Sequence, residues 1–265
     1  MNGAPGGVVV VIPARLASTR LPGKPLLRRT GKYLVQHTWE QARKIASATA
    51  VLVATDDARV FDAVRSFGGD AVMTSPACET GTDRVAEAVR GRSEDLVVNV
   101  QGDEPEFDVA DVEALVAAMR RDPSLPLGTL AVVASTEERD RPSAVKVVRD
   151  LAGDALYFSR SRIPFVREDD PAAAGGREGD RAAAGGAPPV LRHVGIYAFR
   201  REAVEAFTRL APTPLERAEK LEQLRALEHG WRIHVLLGHR APAGIDTPDD
   251  YEAFVGRQAR APERL

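Results

Sequence analysis

GGVVVVIPA, near the start of the chain, contains an unbroken apolar run from Val8 to Ile12. A strand that faces water alternates apolar and polar side chains. A run of β-branched residues without alternation therefore predicts a strand buried on both faces, as in the interior of a parallel sheet. The pattern then switches to helical spacing in LVQHTWEQARKIA, returns to a strand in AVLVATDD, and becomes helical again in ARVFDAVRSFG, which stops at Gly68. DAVMTS predicts a short strand, GTDRVAEAVRG a helix, DLVVNVQGD another buried strand and DVADVEALVAAMRRD an amphipathic helix. This β-α alternation predicts a parallel sheet with helices on both faces. The second half has strands at closer spacing: GTLAVVAS, SAVKVVRD, DALYFSRS and VLRHVGIYAFRR. Such spacing leaves little room for crossover helices, so the expected class is α/β with a mixed, mostly parallel sheet. PLERAEKLEQLRALEHG predicts one long helix from Pro214 to a stop at Gly230. RIHVLLG predicts a late strand and TPDDYEAFVGRQAR a closing helix.

Residues 168–189, EDDPAAAGGREGDRAAAGGAPP, break the pattern. Their Ala, Gly and Pro content cannot bury much surface, so they read as a flexible loop inserted between two strands of a single domain spanning 1–265. The net charge of −2 and 5% aromatic content argue against a nucleic-acid partner. No apolar run approaches the roughly 20 residues of a membrane span, and MNGAPGG has no basic region followed by an apolar one. The expectation is a cytoplasmic protein with no membrane partner. Cys78 is the only cysteine, which excludes an intrachain disulfide and a four-cysteine zinc site.

Candidate chemistry starts where the first strand ends. IPARLASTRLPGKPLL places Arg15, Arg20 and Lys24 on a loop stiffened by Pro22 and Pro25. Loops at the carboxyl ends of parallel strands are where α/β sheets bind ligands, and a basic one suits an anion. Neither G-x-x-x-x-G-K-[ST] nor G-x-G-x-x-G is present there, so a P-loop and a dinucleotide fingerprint are both disfavoured. Small residues between the charges let the backbone approach a phosphate chain closely, and proline lowers the cost of ordering the loop. Asp103 follows the buried strand VVNV, and Asp246 precedes the closing helix. Two carboxylates at one strand-end face would suit Mg²⁺, a cation that prefers oxygen ligands. Turn and cap aspartates are commoner, so residue physics alone leaves both readings open. It also leaves open whether Arg84 is an exposed helix arginine and whether His193 is a core histidine.

The strings IPARLASTRLPGKPL, VATDD, ETGTDRVAE, VVNVQGDEP, AVKVV, ALYFSRSRIPF, RHVGIYAFR, PLERAEKLEQLRAL and GIDTPDD resemble, in order and almost end to end, the bacterial CMP-Kdo synthetases (3-deoxy-manno-octulosonate cytidylyltransferases). The resemblance implies a glycosyltransferase-A-like nucleotidyltransferase fold and a homodimer. It also implies a Mg²⁺-dependent reaction of CTP with the sugar acid Kdo for lipopolysaccharide or related surface-glycan synthesis, with pyrophosphate released. Arg15, Lys24, Asp103 and Asp246 would then be catalytic, with Asp103 and Asp246 holding the metal. Ala14, Arg15, Ser18, Lys24, Thr82 and Arg84 would meet CTP. Gln101, Arg160, His193, Tyr197, Glu222 and Gln223 would meet the sugar.

The chain departs from the family pattern at Tyr33, where proline is usual after Gly-Lys, in the 168–189 insertion and in its leading MNGAPG. A relative acting on another sugar acid, amino-Kdo or a sialic acid, is the alternative within the same chemistry. A non-catalytic nucleotide-binding relative is the alternative outside it, and such a protein is expected to lack at least one of Arg15, Lys24, Asp103 and Asp246.

Overall fold

A computed structural model of the chain describes residues 6–18, 20–166 and 188–260. The insertion predicted over 168–189 lies outside the described residues apart from Pro188 and Pro189. The alternation seen in the sequence is the alternation of the fold. Strands β1 (Val8–Pro13), β2 (Ala48–Thr55), β3 (Asp70–Met73) and β4 (Leu96–Asn99) are joined through helices α1 (Leu34–Ala42), α2 (Ala58–Ser66) and α3 (Gly81–Ala88). Helix α4 (Val109–Arg121) leads on to β5 (Leu127–Val133), and a short helix α5 (Thr136–Arg139) follows. The strands β6 (Lys146–Arg149), β7 (Ala155–Ser159) and β8 (Leu191–Arg200) come next, then helix α6 (Arg201–Phe207). Two short helices, α7 (Pro214–Glu219) and α8 (Gln223–Glu228), precede β9 (Ile233–Leu237) and the closing helix α9 (Pro248–Arg260).

The nine strands among the described residues join one sheet, with the path β3-β2-β1-β4-β8-β5-β9 and the β6–β7 pair attached to β8. The pairs β1–β2, β1–β4, β2–β3 and β5–β9 are parallel, and β8 runs antiparallel to both β4 and β5. The sheet is therefore mixed, as the strand spacing implied. On β1 the unbroken apolar run does what a doubly buried strand must. Val8, Val10 and Ile12 pack on one face with Val35, Val60 and Leu115, while Val9 and Val11 pack on the other with Val85 and Phe207.

A third, smaller cluster positions the site. Leu21, Leu34, Ile245, Tyr251 and Phe254 are all buried together. It joins the basic loop after β1 to the last helix, and the Tyr251 hydroxyl accepts the Arg29 amide at 2.9 Å. Within that loop Gly23 adopts φ 67, a left-handed turn that a side chain disfavours, and Lys24–Leu26 form one 3₁₀ turn.

The helix predicted over 214–230 is broken. Lys220 sits in the left-handed region at φ 54 and ends α7. The cost of a left-handed lysine is offset by what the break exposes. Arg160 Nε donates to the Glu219 carbonyl at 2.7 Å and Nη2 to the Lys220 carbonyl at 3.3 Å, while the Glu219 carboxylate accepts from Ser159 Oγ at 2.6 Å and the Arg160 amide at 2.9 Å. Periodicity has no access to such contacts, because Arg160 lies about sixty residues away. Helices α5 and α6 were likewise not anticipated: α5 is four residues long, and α6 follows β8 directly without a spacer.

Candidate active site

The carboxyl ends of β1 and β4 open into a cavity of about 400 Å³ lined chiefly by Ala14, Arg15, Ser18, Lys24, Gln101 and Asp103. The last rung of the ladder, Ala14 N–H to the Ala54 carbonyl at 2.8 Å, fixes where β1 stops and the loop begins. Gly102 packs closely opposite it, since an added Cβ would stand 3.0 Å from the Pro13 carbonyl oxygen. The Gly102 carbonyl is held by Thr38 Oγ1 from α1 at 3.0 Å.

Asp246 is brought to the edge of this cavity, against the lining residues Lys24 and Arg20, by a backbone bond between Ile245 N–H and the Asp103 carbonyl, 3.0 Å. The cap expected of Asp246 is made by its neighbours instead. Asp250 accepts the amides of Asp246 and Thr247, and Thr247 Oγ1 accepts the Asp250 amide. The Asp246 carboxylate is thereby left for the cavity. Lys24 Nζ donates to Asp103 Oδ2 at 2.7 Å and to Asp246 Oδ1 at 2.9 Å, and Arg20 pairs with the other Asp246 oxygen at 3.2 Å. Burial works against the Lys24 ammonium, but the two carboxylates hold its proton and raise its pKa above the ordinary lysine value. Two carboxylates converging on a single cation is the donor arrangement a hard divalent ion uses, so Asp103 and Asp246 fit Mg²⁺. Arg15 lies at the mouth, where its guanidinium donates to the Glu79 carbonyl. Ser18 Oγ accepts the Leu21 amide at 3.3 Å.

Helix α3 begins beside the cavity with Gly81, behind a capping box made by Thr80 and Asp83. Thr82 Oγ1 donates to Glu222 Oε2 at 2.7 Å, so the candidate nucleotide residue Thr82 touches the candidate sugar residue Glu222. Arg84 is neither an exposed helix arginine nor part of the cavity lining. It is fully buried, with Nη2 on Asp56 Oδ2 at 2.8 Å and Nη1 on Thr74 Oγ1. The VATDD aspartate Asp56, which sequence reasoning had not singled out, is its charge partner.

Of the other candidates, Gln101, His193, Tyr197 and Glu222 lie near one another around β8, whereas Arg160 is held at the break after Glu219. His193 and Tyr197 lie on one face of β8, their ring centroids 5.4 Å apart, although the β5–β8 register shifts between Thr129 and Leu130. The Thr129 hydroxyl gives its proton to the carbonyls of Ile196 and Val194, at 2.8 and 3.2 Å, so it accepts from His193 Nε2 at 3.0 Å. Nδ1 is then the acceptor of that ring. Burial, with the Arg192 charge beside it, pushes the imidazole down to about 3, so it is neutral at physiological pH. Burial also pushes the Tyr197 hydroxyl up, helped by the nearby Glu222 and Glu104. Glu222 is raised by burial, against the Thr82 hydroxyl that favours its anion. Glu222 Oε1 and Gln223 Nε2 are buried without a protein partner. Gln101 Nε2 makes two long bonds, 3.4 Å each, to Asn99 Oδ1 and the Gly195 carbonyl. Arg160 is committed to the carbonyls of Glu219, Lys220 and Pro142. Glu104 was missed by sequence reasoning: burial and the adjacent Asp103 push its carboxyl up to about 8. Its only signal was an acidic residue following the strand-end Asp103.

A basic, carboxylate-edged cleft at the carboxyl ends of parallel strands, on this mixed α/β sheet, suits an anionic ligand, and similarity to known proteins gives its class as a nucleotidyltransferase. The cytidylyltransferase family profile matches residues 9–233. The chain is 46% identical to the 3-deoxy-manno-octulosonate cytidylyltransferase of Geobacter metallireducens over 96% of this chain and 98% of that one. To the enzyme of the same name from Myxococcus xanthus it is 49% identical, over 92% and 93% of the two chains. A solved CMP:2-keto-3-deoxy-manno-octonic acid synthetase complexed with CTP superposes with a TM-score of 0.86 at 42% identity, covering 96% of this chain and 99% of that one. The chain belongs to the 3-deoxy-manno-octulosonate cytidylyltransferase (CMP-Kdo synthetase) family.

Proposed function

We propose that this protein joins CTP to Kdo, giving CMP-Kdo and pyrophosphate, for lipopolysaccharide or a related surface glycan. The observation that carries the reading is the convergence of Lys24, Asp103 and Asp246 from three distant parts of the chain onto one strand-end cleft. In this reading the triphosphate lies along the loop after β1, with Arg15 gripping phosphate oxygens as a planar fork and Lys24 acting as a point charge beside the α-phosphorus. The Kdo anomeric oxygen bonds to that phosphorus while the bond from the α-phosphorus to the bridging oxygen breaks; pyrophosphate leaves and the hydroxyl proton passes to solvent. Because the transferred group changes hands with little covalent help, the protein's work is positioning and charge stabilisation.

Asp103 and Asp246 would hold Mg²⁺, which supplies Lewis-acid neutralisation of the phosphates. Lys24 pairs with both carboxylates while the phosphates are absent, so it keeps them from repelling each other and is released to the nucleotide when it binds. Neutral His193 offers Nδ1 to a sugar hydroxyl, and Tyr197, Glu222, Gln223 and Gln101 supply further polar contacts in the drier half of the cleft. Arg160 has N–H capacity beyond its three carbonyls for the sugar carboxylate. Thr82, bonded to Glu222, links the nucleotide and sugar halves. Arg84 supports the nucleotide side indirectly, by tying α3 to Asp56 and Thr74.

Pyrophosphate release with CTP, Kdo and Mg²⁺ together, absent when any one is withheld or EDTA is added, is the expected result. Equal turnover with ATP or UTP, or full activity in EDTA, would overturn the reading.

A nucleoside triphosphate substrate supports a cytoplasmic location, and no helix among the described residues is long and apolar enough to cross a membrane. A homodimer is supported by two exposed apolar residues, Leu156 on the outer strand β7 and Phe165 just beyond it. Sedimentation velocity reads the assembly, and a monomer at micromolar concentration would count against it.

A further inference from the structure

Asp103 and Glu104 are neighbours that face different chemistry. Asp103 turns to the Lys24 ammonium at 2.7 Å, while Glu104 turns towards β8. The turn that separates them is closed by the Glu104 amide on the Gln101 carbonyl at 3.1 Å. A methyl group added at Gly195 would stand 3.8 Å from Gln101 Cγ and 3.9 Å from Glu104 Oε1, so Gln101 and Glu104 border the same bare backbone position. His193 and Tyr197 flank that position two residues to either side. Glu104 Oε2 is out of contact with solvent and has no hydrogen-bond partner. Arg192, the cation that favours its charged form, already serves Glu138 and the Pro242 carbonyl.

A buried carboxyl oxygen without a partner is costly, and native proteins keep such atoms where a ligand or water completes them. Here the other oxygen of the same carboxyl, Oε1, stands 3.9 Å from where a Cβ at Gly195 would be, so the carboxyl borders a glycine that leaves room. We propose that Glu104 is a specificity-determining residue that hydrogen-bonds one hydroxyl of the sugar acid, with Gly195 providing the space that hydroxyl occupies. The inference rests on the Kdo reading above. It differs from a metal role for Glu104, because the carboxyl faces Gly195 and not the Lys24 ammonium between Asp103 and Asp246. A site built to bond a hydroxyl rejects the analogue lacking it, since its own polar atom is then left unpaired.

The test is steady-state pyrophosphate release by the full-length protein with CTP, Mg²⁺, Kdo and the monodeoxy analogues of Kdo. Glu104→Leu should raise KM for Kdo roughly 10-fold and leave KM for CTP within about twofold. One monodeoxy analogue that the unaltered protein uses about 10-fold less well than Kdo should lose that penalty in the variant. Glu104→Gln, which keeps a hydrogen-bonding amide, should retain most of the discrimination. Gly195→Ala adds one methyl group with no contact closer than 3.8 Å, so the fold accepts it, and it should raise KM for Kdo in the same direction. Unchanged KM for Kdo in both Glu104→Leu and Gly195→Ala would overturn the proposal while leaving the Kdo reading intact. A variant that loses kcat, needs more Mg²⁺ and keeps every analogue penalty would assign Glu104 to the metal and also overturn it. Absence of Kdo turnover by the unaltered protein would sink the substrate reading and this inference with it.

Discussion

The two halves of the cleft keep their polar groups ready in opposite ways. On the proposed phosphate side, charges pair directly at the cavity: Lys24 with Asp103 and Asp246, and Arg20 with Asp246. On the proposed sugar side, Arg160 apart, the groups are largely enclosed and neutral or shifted towards neutral. His193 is held neutral, Tyr197 and Glu222 are shifted towards their neutral forms, and several polar atoms have no partner. The difference suits the ligands proposed for the two sides. A polyanion in water is captured by charges, and charges on the protein cost little while they neutralise each other. Sugar hydroxyls are captured by oriented dipoles in a dry pocket, where an unmatched group is penalised and selectivity arises.

The contrast can be broken most severely at the carboxylates. Asp103→Asn and Asp246→Asn should each lower kcat/KM by roughly 1,000-fold or more, since each removes an anionic ligand from one metal site. The double variant should be far less than the product of the two, because both serve the same ion. Independent, small losses measured by pyrophosphate release would mean that the metal is held elsewhere.

Lys24→Ala comes next. Loss of one preorganised charge at the α-phosphorus should reduce kcat/KM by about 100- to 1,000-fold. KM for Kdo should change little, which separates this half of the cleft from the other. A main effect on the Kdo KM would merge the two regions and remove the distinction drawn here.

The last expected effect is on stability, not on turnover, and concerns the buried half. His193 is neutral in the fold with its pKa lowered to about 3, whereas an unfolded histidine protonates near 6.5. Below 6.5 the unfolded state therefore binds a proton that the folded state does not. Stability present above 6.5 should be lost as pH falls towards 3, by up to about 1.4 kcal/mol per pH unit from this group. Urea midpoints between pH 4 and 7 measure it. His193→Gln, which does not titrate, should remove that part of the slope, and identical slopes in the two proteins would mean that His193 is solvated.

Legibility in the sequence followed the range of the interaction. Strand β1 and helices α1 to α4 were readable because burial on two faces, or on one stripe, writes a period into consecutive residues. Position at a strand end also made Arg15, Lys24 and Asp103 readable as candidates. Arg84 and Arg160 were readable as charges but not as commitments. A guanidinium that closes on Asp56, or on the carbonyls of a helix break, looks in the sequence like one that is free. The break at Lys220 was invisible for the same reason, since every local signal from Pro214 to Gly230 favours one helix.

By itself the sequence determined the α/β class, the order of most elements and the strand-end loop, all of which depend on near neighbours in the chain. Only the tertiary structure decided that Asp246 meets Asp103 and Lys24, that Thr82 bonds Glu222, and that Glu104 turns away from its neighbour into the drier recess. Those facts depend on contacts between residues up to 222 positions apart. Local propensity carries no information at that distance, and only packing of the small cluster around Leu21, Ile245 and Phe254 brings the two ends of the chain to one cleft.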